Sequence, residues 1–134
     1  MTAATQGRNT TRRDAHRVGH LINSGQKIWA GTLVALLTAN GNAVPAGTPG
    51  AGDAVGVSQH DVVGDGTNQV DTWRGQAFHF ANSAAADLIT RADIGSNAFV
   101  VDDQTVAKTD NSAARKVAGK IIDVDAAGVW VLVG

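Results

Sequence analysis

At 134 residues, with 16 Gly and 17% charged side chains, the chain has the size of one domain with a single core. It has no Cys, which excludes disulfides and thiolate metal sites and leaves packing or assembly to hold the fold. Its formal charge of −1 conceals a division: residues 1–27 carry five basic side chains against one Asp, and the remainder carries six against eleven.

The longest apolar runs, such as Leu33–Leu37, fall far short of the roughly 18 residues of a membrane span, and the N-terminus is polar and Arg-rich. Neither a membrane protein nor a secretory leader is expected. Every acid is Asp, and Glu is absent. Glu suits helix interiors whereas Asp favours turns and caps, so the acids alone point to short strands joined by many turns.

Residues 1–26 lack apolar periodicity, and only Val18, Leu21 and Ile22 offer anything to bury. Such a segment cannot offset its own ordering entropy, so it reads as a flexible basic arm, with a short helix over Arg12–Ile22 as the alternative. Lys27–Leu37 is the first strand candidate. Asn40-Gly41-Asn42 then turns the chain into Ala43–Ala46, where Pro45 restricts the return strand to an edge. Residues 47–52 form a loop, 53–59 a strand, and the Asp65–Asn68 region a tip.

Gln69–Phe80 is strand-like and broken at Gly75, where a kink or bulge is expected. Thr90-Arg-Ala-Asp93 has the form of a capping box followed by Gly95, which predicts one helical turn. Strands follow at 98–101 and 105–107, with a turn at Asp102-Asp103-Gln104. Val117–Val124 and Val129–Val133 make the last hairpin. The expected fold is therefore all-β: a small barrel or sandwich of residues 27–134, with at most one or two helical turns. Lys27–Phe80 is expected to close one barrel with the C-terminal strands.

No phosphate-binding loop is present; Gly47, Gly50 and Gly52 precede no helix that would point its N-terminus at a phosphate. His16 and His20 would share a helix face at metal-ligand spacing but lack a carboxylate partner, so a solvated pair is the simpler reading. His60 and His79 each have the chance of meeting an Asp in space as an acid–base pair, the only opening for a hydrolase or metal protein. Asp61, Asp65 and Asn68 do not match a calcium loop, and Asp102 with Asp103 makes a turn rather than a dyad. No cofactor, metal or catalytic residue is assigned.

The arm is basic without aromatics, which suits non-specific phosphate contact but offers no stacking platform for nucleic acid. Trp29, Trp73 and Trp130 read most simply as core, with an interface anchor among them as the alternative. In the last strand, however, Trp130 and Leu132 alternate with Val129, Val131 and Val133, so both faces are apolar and one needs a neighbour. Trp130 and Leu132 are thus expected at a subunit or partner interface.

The segments Ile89-Thr-Arg-Ala-Asp-Ile-Gly95 and Val100-Val-Asp-Asp-Gln-Thr-Val-Ala-Lys108 resemble the small capsid cement, or head decoration, proteins of tailed bacteriophages, of the phage lambda type. Leu33-Val-Ala-Leu36, Gly41-Asn-Ala-Val-Pro45 and Ala54-Val-Gly-Val57 extend the resemblance, which runs from about Gly25 to the C-terminus. It implies a non-enzymatic β-barrel that trimerises on the outer capsid surface and clamps major capsid subunits against the pressure of packaged DNA. The protein would be made in the host bacterial cytoplasm and end in the virion. This chain departs from shorter members in its polar arm, whose Arg8, Arg12, Arg13 and Arg17 are the expected capsid contacts. The alternative is a nucleic-acid-binding phage protein that uses the same arm.

Overall fold

The computed structural model describes residues 2–134 and is all-β, with only two 3₁₀ turns, Ala85–Asp87 and Arg91–Asp93. Twelve strands follow in chain order: β1 (Arg17–Leu21), β2 (Lys27–Ile28), β3 (Leu33–Leu37), β4 (Ala43–Pro45), β5 (Ala51–Ser58), β6 (Val62–Val63), β7 (Gln69–Trp73), β8 (Gln76–Asn82), β9 (Asn97–Val100), β10 (Thr105–Ala107), β11 (Val117–Asp125) and β12 (Gly128–Val133). They form a five-stranded sheet in the order β1-β7-β5-β3-β4, a closed five-stranded barrel in the order β10-β8-β12-β11-β9, and a small β2–β6 ribbon.

The barrel is built almost entirely from the C-terminal half. Lys27–Phe80 does not close it, as the sequence had suggested: of that region only β8 enters the barrel, and β3, β5 and β7 form the separate sheet. The kink at Gly75 makes this division, since its φ of 74° is costless only for glycine and it redirects the chain from β7 into β8. At the barrel's far side Gly119 lies so close to the Leu132 carbonyl that a Cβ there would collide with it, and the β11–β9 register shifts at this point.

Two apolar clusters hold the layers together. The larger joins Leu33, Ala35, Val44 and Val57 of the sheet to Phe80, Val100, Val106, Ile121, Val129, Val131 and Val133 of the barrel. The smaller lies on the sheet's other face, where Ile22, Ile28, Val34, Ala43 and Val70 are fully buried. Strand β3 serves both, with Leu33 and Ala35 facing the barrel and Val34 facing away. That is why its sequence is a continuous apolar run rather than an alternation.

The turn chemistry follows the sequence. The Asp93 carboxylate accepts the Thr90 backbone N–H at 2.8 Å, closing the expected box around a single 3₁₀ turn. Asp102 accepts the Gln104 N–H at 3.0 Å in the β9–β10 turn. Asp125 accepts the N–H groups of Ala127 and Gly128, which shapes the last hairpin. Pro45 lies in β4, at the sheet's edge, where its missing donor costs nothing.

The N-terminal segment needs correction. Residues 2–16 carry no strand or helix and are exposed, but Arg17–Leu21 is strand β1 rather than arm or helix. It pairs antiparallel with β7, Val18 opposite Thr72 and His20 opposite Val70. The Thr72 hydroxyl donates to the Val18 carbonyl at 2.8 Å, and Ile22 just beyond the strand is fully buried. Tertiary pairing across some fifty residues therefore overrides a local composition too polar to suggest structure. Likewise Lys27–Leu37 is two strands, broken at Trp29–Thr32, where the Asp61 carboxylate accepts the Ala30 N–H at 2.8 Å.

Candidate interaction surface

Strand β12 sets the phase of the barrel's outer face. Val129, Val131 and Val133 are fully buried, which leaves Trp130 and Leu132 to point outward. Trp130 is 38% exposed. It is also held firmly: its indole N–H donates to Asp125 at 3.0 Å, and the His79 ring lies against it with centroids 4.9 Å apart. His79 Nε2 is 3.2 Å from the same carboxylate. The histidine is the largest influence that holds the Asp125 carboxyl down to about 2, ahead of the Ala127 N–H and the indole.

Leu132 is half-buried, opposite Lys120 on one side and Ala77 on the other. Ile122, at the irregularity between Ile121 and Asp123, adds a further exposed apolar side chain on neighbouring β11. The result is a rigid amphipathic face: an oriented indole with two aliphatic groups, flanked by Asp125, Asp123 and Lys120. Anchored aromatics with little rotamer freedom are the side chains that dominate protein interfaces.

Trp73 and Trp29 are also exposed, so their reading as core is overturned. Trp73 lies opposite Arg17 and Val57, on the sheet face that Val57 turns to the barrel, and is still 45% exposed. Trp29 is 55% exposed, with the Lys27 ammonium 4.4 Å from its ring centre.

The arginines separate into two groups. Arg8, Arg12 and Arg13 lie in the exposed segment and take part in no ion pair among the described residues. Arg17 is fixed in β1 with its side chain exposed. The remaining expected site residues form local structure. Asp65 accepts the N–H groups of Thr67 and Asn68 and the Thr67 hydroxyl, while Asp61 is turned away to Ala30, so the three residues make a tip rather than a cage. Among the described residues no three His or Asp side chains gather closely enough to hold a metal ion.

The histidines do meet aspartates, but in pairs. His16 Nδ1 is 2.7 Å from Asp14, and His60 Nε2 accepts the Asp71 N–H at 3.3 Å. His20 sits in β1, half-buried; burial and then Arg74 push its imidazole below the ordinary value. His16 and His20 therefore share no helix. Among the described residues no side-chain hydroxyl is hydrogen-bonded to a histidine ring, so neither His60 nor His79 has a nucleophile to activate. Asp103 is raised by burial and by the adjacent Asp102, at a turn that faces no other titratable partner.

The sequence named Trp130, Leu132 and the four arginines as contact candidates and did not single out the exposure of Trp73 and Ile122 or strand β1. The phase of Trp73 was written in the alternation of β7; its exposure depended on where the barrel packs. No helix among the described residues is long and apolar enough to cross a membrane. Comparison of the chain with protein-family models, curated proteins and solved structures gives no match.

Proposed function

We propose that this chain is a structural virion protein that binds the outer surface of a tailed-phage capsid and cements neighbouring major capsid subunits, as a homotrimer. The observation that carries the reading is the combination of an exposed basic segment with three unpaired arginines and a small barrel bearing a rigid outward Trp130. The sequence resemblance of residues 89–108 to head decoration proteins gives that combination its context. The barrel is a scaffold, and two kinds of contact extend from it.

In this reading Arg8, Arg12, Arg13 and Arg17 meet capsid carboxylates, and the arm orders as it binds. Trp130, Leu132 and Ile122 bury their apolar area against a subunit or the shell. Each contact alone is weak, but three arms and three barrel faces on one trimer make every later contact effectively intramolecular. No reaction is assigned, since the histidine–aspartate pairs lack a third member.

The test separates assembly from binding. Because β1 begins at Arg17, the deletion that removes only the arm is 1–13. This variant is expected to keep the subunit number that its barrel faces hold together and to lose most of its binding to expanded shells; full binding would remove the arm from the account. The free arginines also favour a second reading, non-specific contact with nucleic acid. A salt titration against DNA distinguishes them: a log–log slope near zero leaves no phosphate contact to explain.

A further inference from the structure

A β-sheet edge is a row of unpaired backbone donors and acceptors, and this fold hides nearly all of its edges. The barrel is closed and has none. Strand β4 is three residues long, contains Pro45, and has its Ala43 carbonyl occupied by the Asn23 N–H at 2.9 Å. The β2–β6 ribbon is two residues deep. Strand β1 is different: five residues, no proline, and no strand on its outer side.

Register identifies the free groups. Arg74 donates to the His16 carbonyl and Ile22 donates to the Asn68 carbonyl, so residues 16, 18, 20 and 22 direct their backbone groups at β7. The N–H and C=O groups of Arg17, Gly19 and Leu21 consequently point to solvent. The central one, Gly19, has no side chain, and a depression of about 350 Å³ opens there between Arg17 and Asp71. Asp71 stands directly opposite Gly19 on β7. Gln59 lines the same depression, and its amide Nε2 is buried with no partner among the described residues.

We propose that the β1 edge accepts, as an added strand, the N-terminal segment of a second copy of this chain. Charge complementarity selects the occupant. Directly opposed residues on adjacent strands share a face, so an arginine opposite Gly19 lies on the same face as Asp71, and the Gln69 amide oxygen, which lies over the glycine, is a further acceptor between them. The guanidinium crosses the glycine to the carboxylate. Arg8 and Arg12 are spaced four apart, so both project to this face from one extended strand.

The supply of chain is sufficient. Residues 2–16 are exposed, form no backbone hydrogen bond with their own body short of His16, and span up to about 50 Å when extended. They run straight into β1, so the copy that donates an arm also presents an edge. This exchange concerns the free protein and does not rest on the capsid reading; a shell that binds the arm would draw it from this edge.

Cross-linking tests the exchange cleanly because the chain has no cysteine. With Arg8 or Arg12 opposite Gly19, Thr10 lies opposite Arg17 or Leu21 whichever way the strand runs. Full-length Thr10→Cys protein is mixed under mild oxidation with full-length Leu21→Cys or Arg17→Cys protein of distinguishable mass. The mixed disulfide is expected at about ten times the yield obtained with Ala126→Cys, on the barrel's hairpin, as partner. Asp71→Asn in the acceptor should lower that yield severalfold, and so should Gly19→Val, which fills the depression.

A yield equal to the Ala126→Cys control overturns the proposal. So does a yield that neither acceptor change reduces. A chain carrying both Thr10→Cys and Leu21→Cys that closes on itself as a monomer, in preference to joining a second copy, overturns the assignment of the occupant. Asp71 is exposed and forms no part of the core, so Asp71→Asn remains informative if Gly19→Val disturbs β1.

Discussion

The closed barrel and the five-stranded sheet consist of strands of similar length, yet they treat their edges and faces in opposite ways. In the barrel every strand has two neighbours, one face of each strand enters a core of valine and isoleucine, and the outer face is exposed. The sheet is buried on both faces around β3 but runs out at β1, where polar side chains, a glycine and an open edge meet solvent. The barrel is thus built to be finished, and the β1 end is built to be continued. Rigidity and recognition occupy different parts of one small domain, with Trp130 as the exception that places an anchor on the rigid part.

The comparison can be broken most severely at the junction of arm and sheet. Deletion of residues 1–24 removes β1 and the fully buried Ile22, and should cost at least about 4 kcal/mol and blur the unfolding transition, by the standard of a large core truncation. Deletion of residues 1–13 should shift stability by less than about 0.5 kcal/mol, since those side chains are exposed. Denaturant unfolding of the two deletions side by side locates the true start of the folded body. Equal stability would return β1 to the arm.

Within the barrel, Ile121→Ala should cost about 2–5 kcal/mol because the side chain is fully buried, whereas Ile122→Ala beside it should cost about 0.5 kcal/mol or less. The same pair reverses in any binding assay that uses the outer face. A smaller effect concerns the hairpin clasp. Folding lowers the Asp125 carboxyl from 3.8 to about 2, so its stabilising contribution is complete above the ordinary pKa and fades as pH falls from there toward 2. Because His79 is the leading cause, His79→Ala should raise the Asp125 midpoint toward 3.8 in a carboxyl NMR titration.

A gain in stability rather than a loss is expected in the loop before β11. Asn111, Ser112 and Ala113 have φ values of 49°, 56° and 68°, a left-handed run that L side chains adopt at a cost. Ala113→Gly should therefore stabilise the fold by up to about 1 kcal/mol in the same unfolding assay.

Turns and edges were legible because their chemistry is local. Asp93 beside Thr90, Asp125 before Gly128 and Pro45 in a short return strand each act on groups within a few residues. Strand β1 was not legible, because what makes it a strand is β7, and nothing in Arg-Val-Gly-His-Leu announces a partner near residue 70. The division into barrel and sheet was hidden for the same reason: Gly75 was visible as a break, but where the chain goes after a break is a tertiary matter. Alternation in β12 gave two apolar faces, and Trp130 and Leu132 were placed on the one that needs a neighbour. In the structure Val129, Val131 and Val133 enter the core and the Trp130 ring stays on the exposed face. His60 and His79 were visible as residues, while their pairing with Asp71 and Asp125 required strands distant in sequence.

Backbone hydrogen exchange along β1 tests the contrast between a finished barrel and an open sheet edge most directly. At high dilution the amides of Val18, His20 and Ile22 should be protected, and those of Arg17, Gly19 and Leu21 should exchange freely. The exposed three should become protected as the concentration rises and a second copy supplies its arm. Uniform protection of all six amides at high dilution would contradict the account, because it would mean that β1 already has a second neighbour.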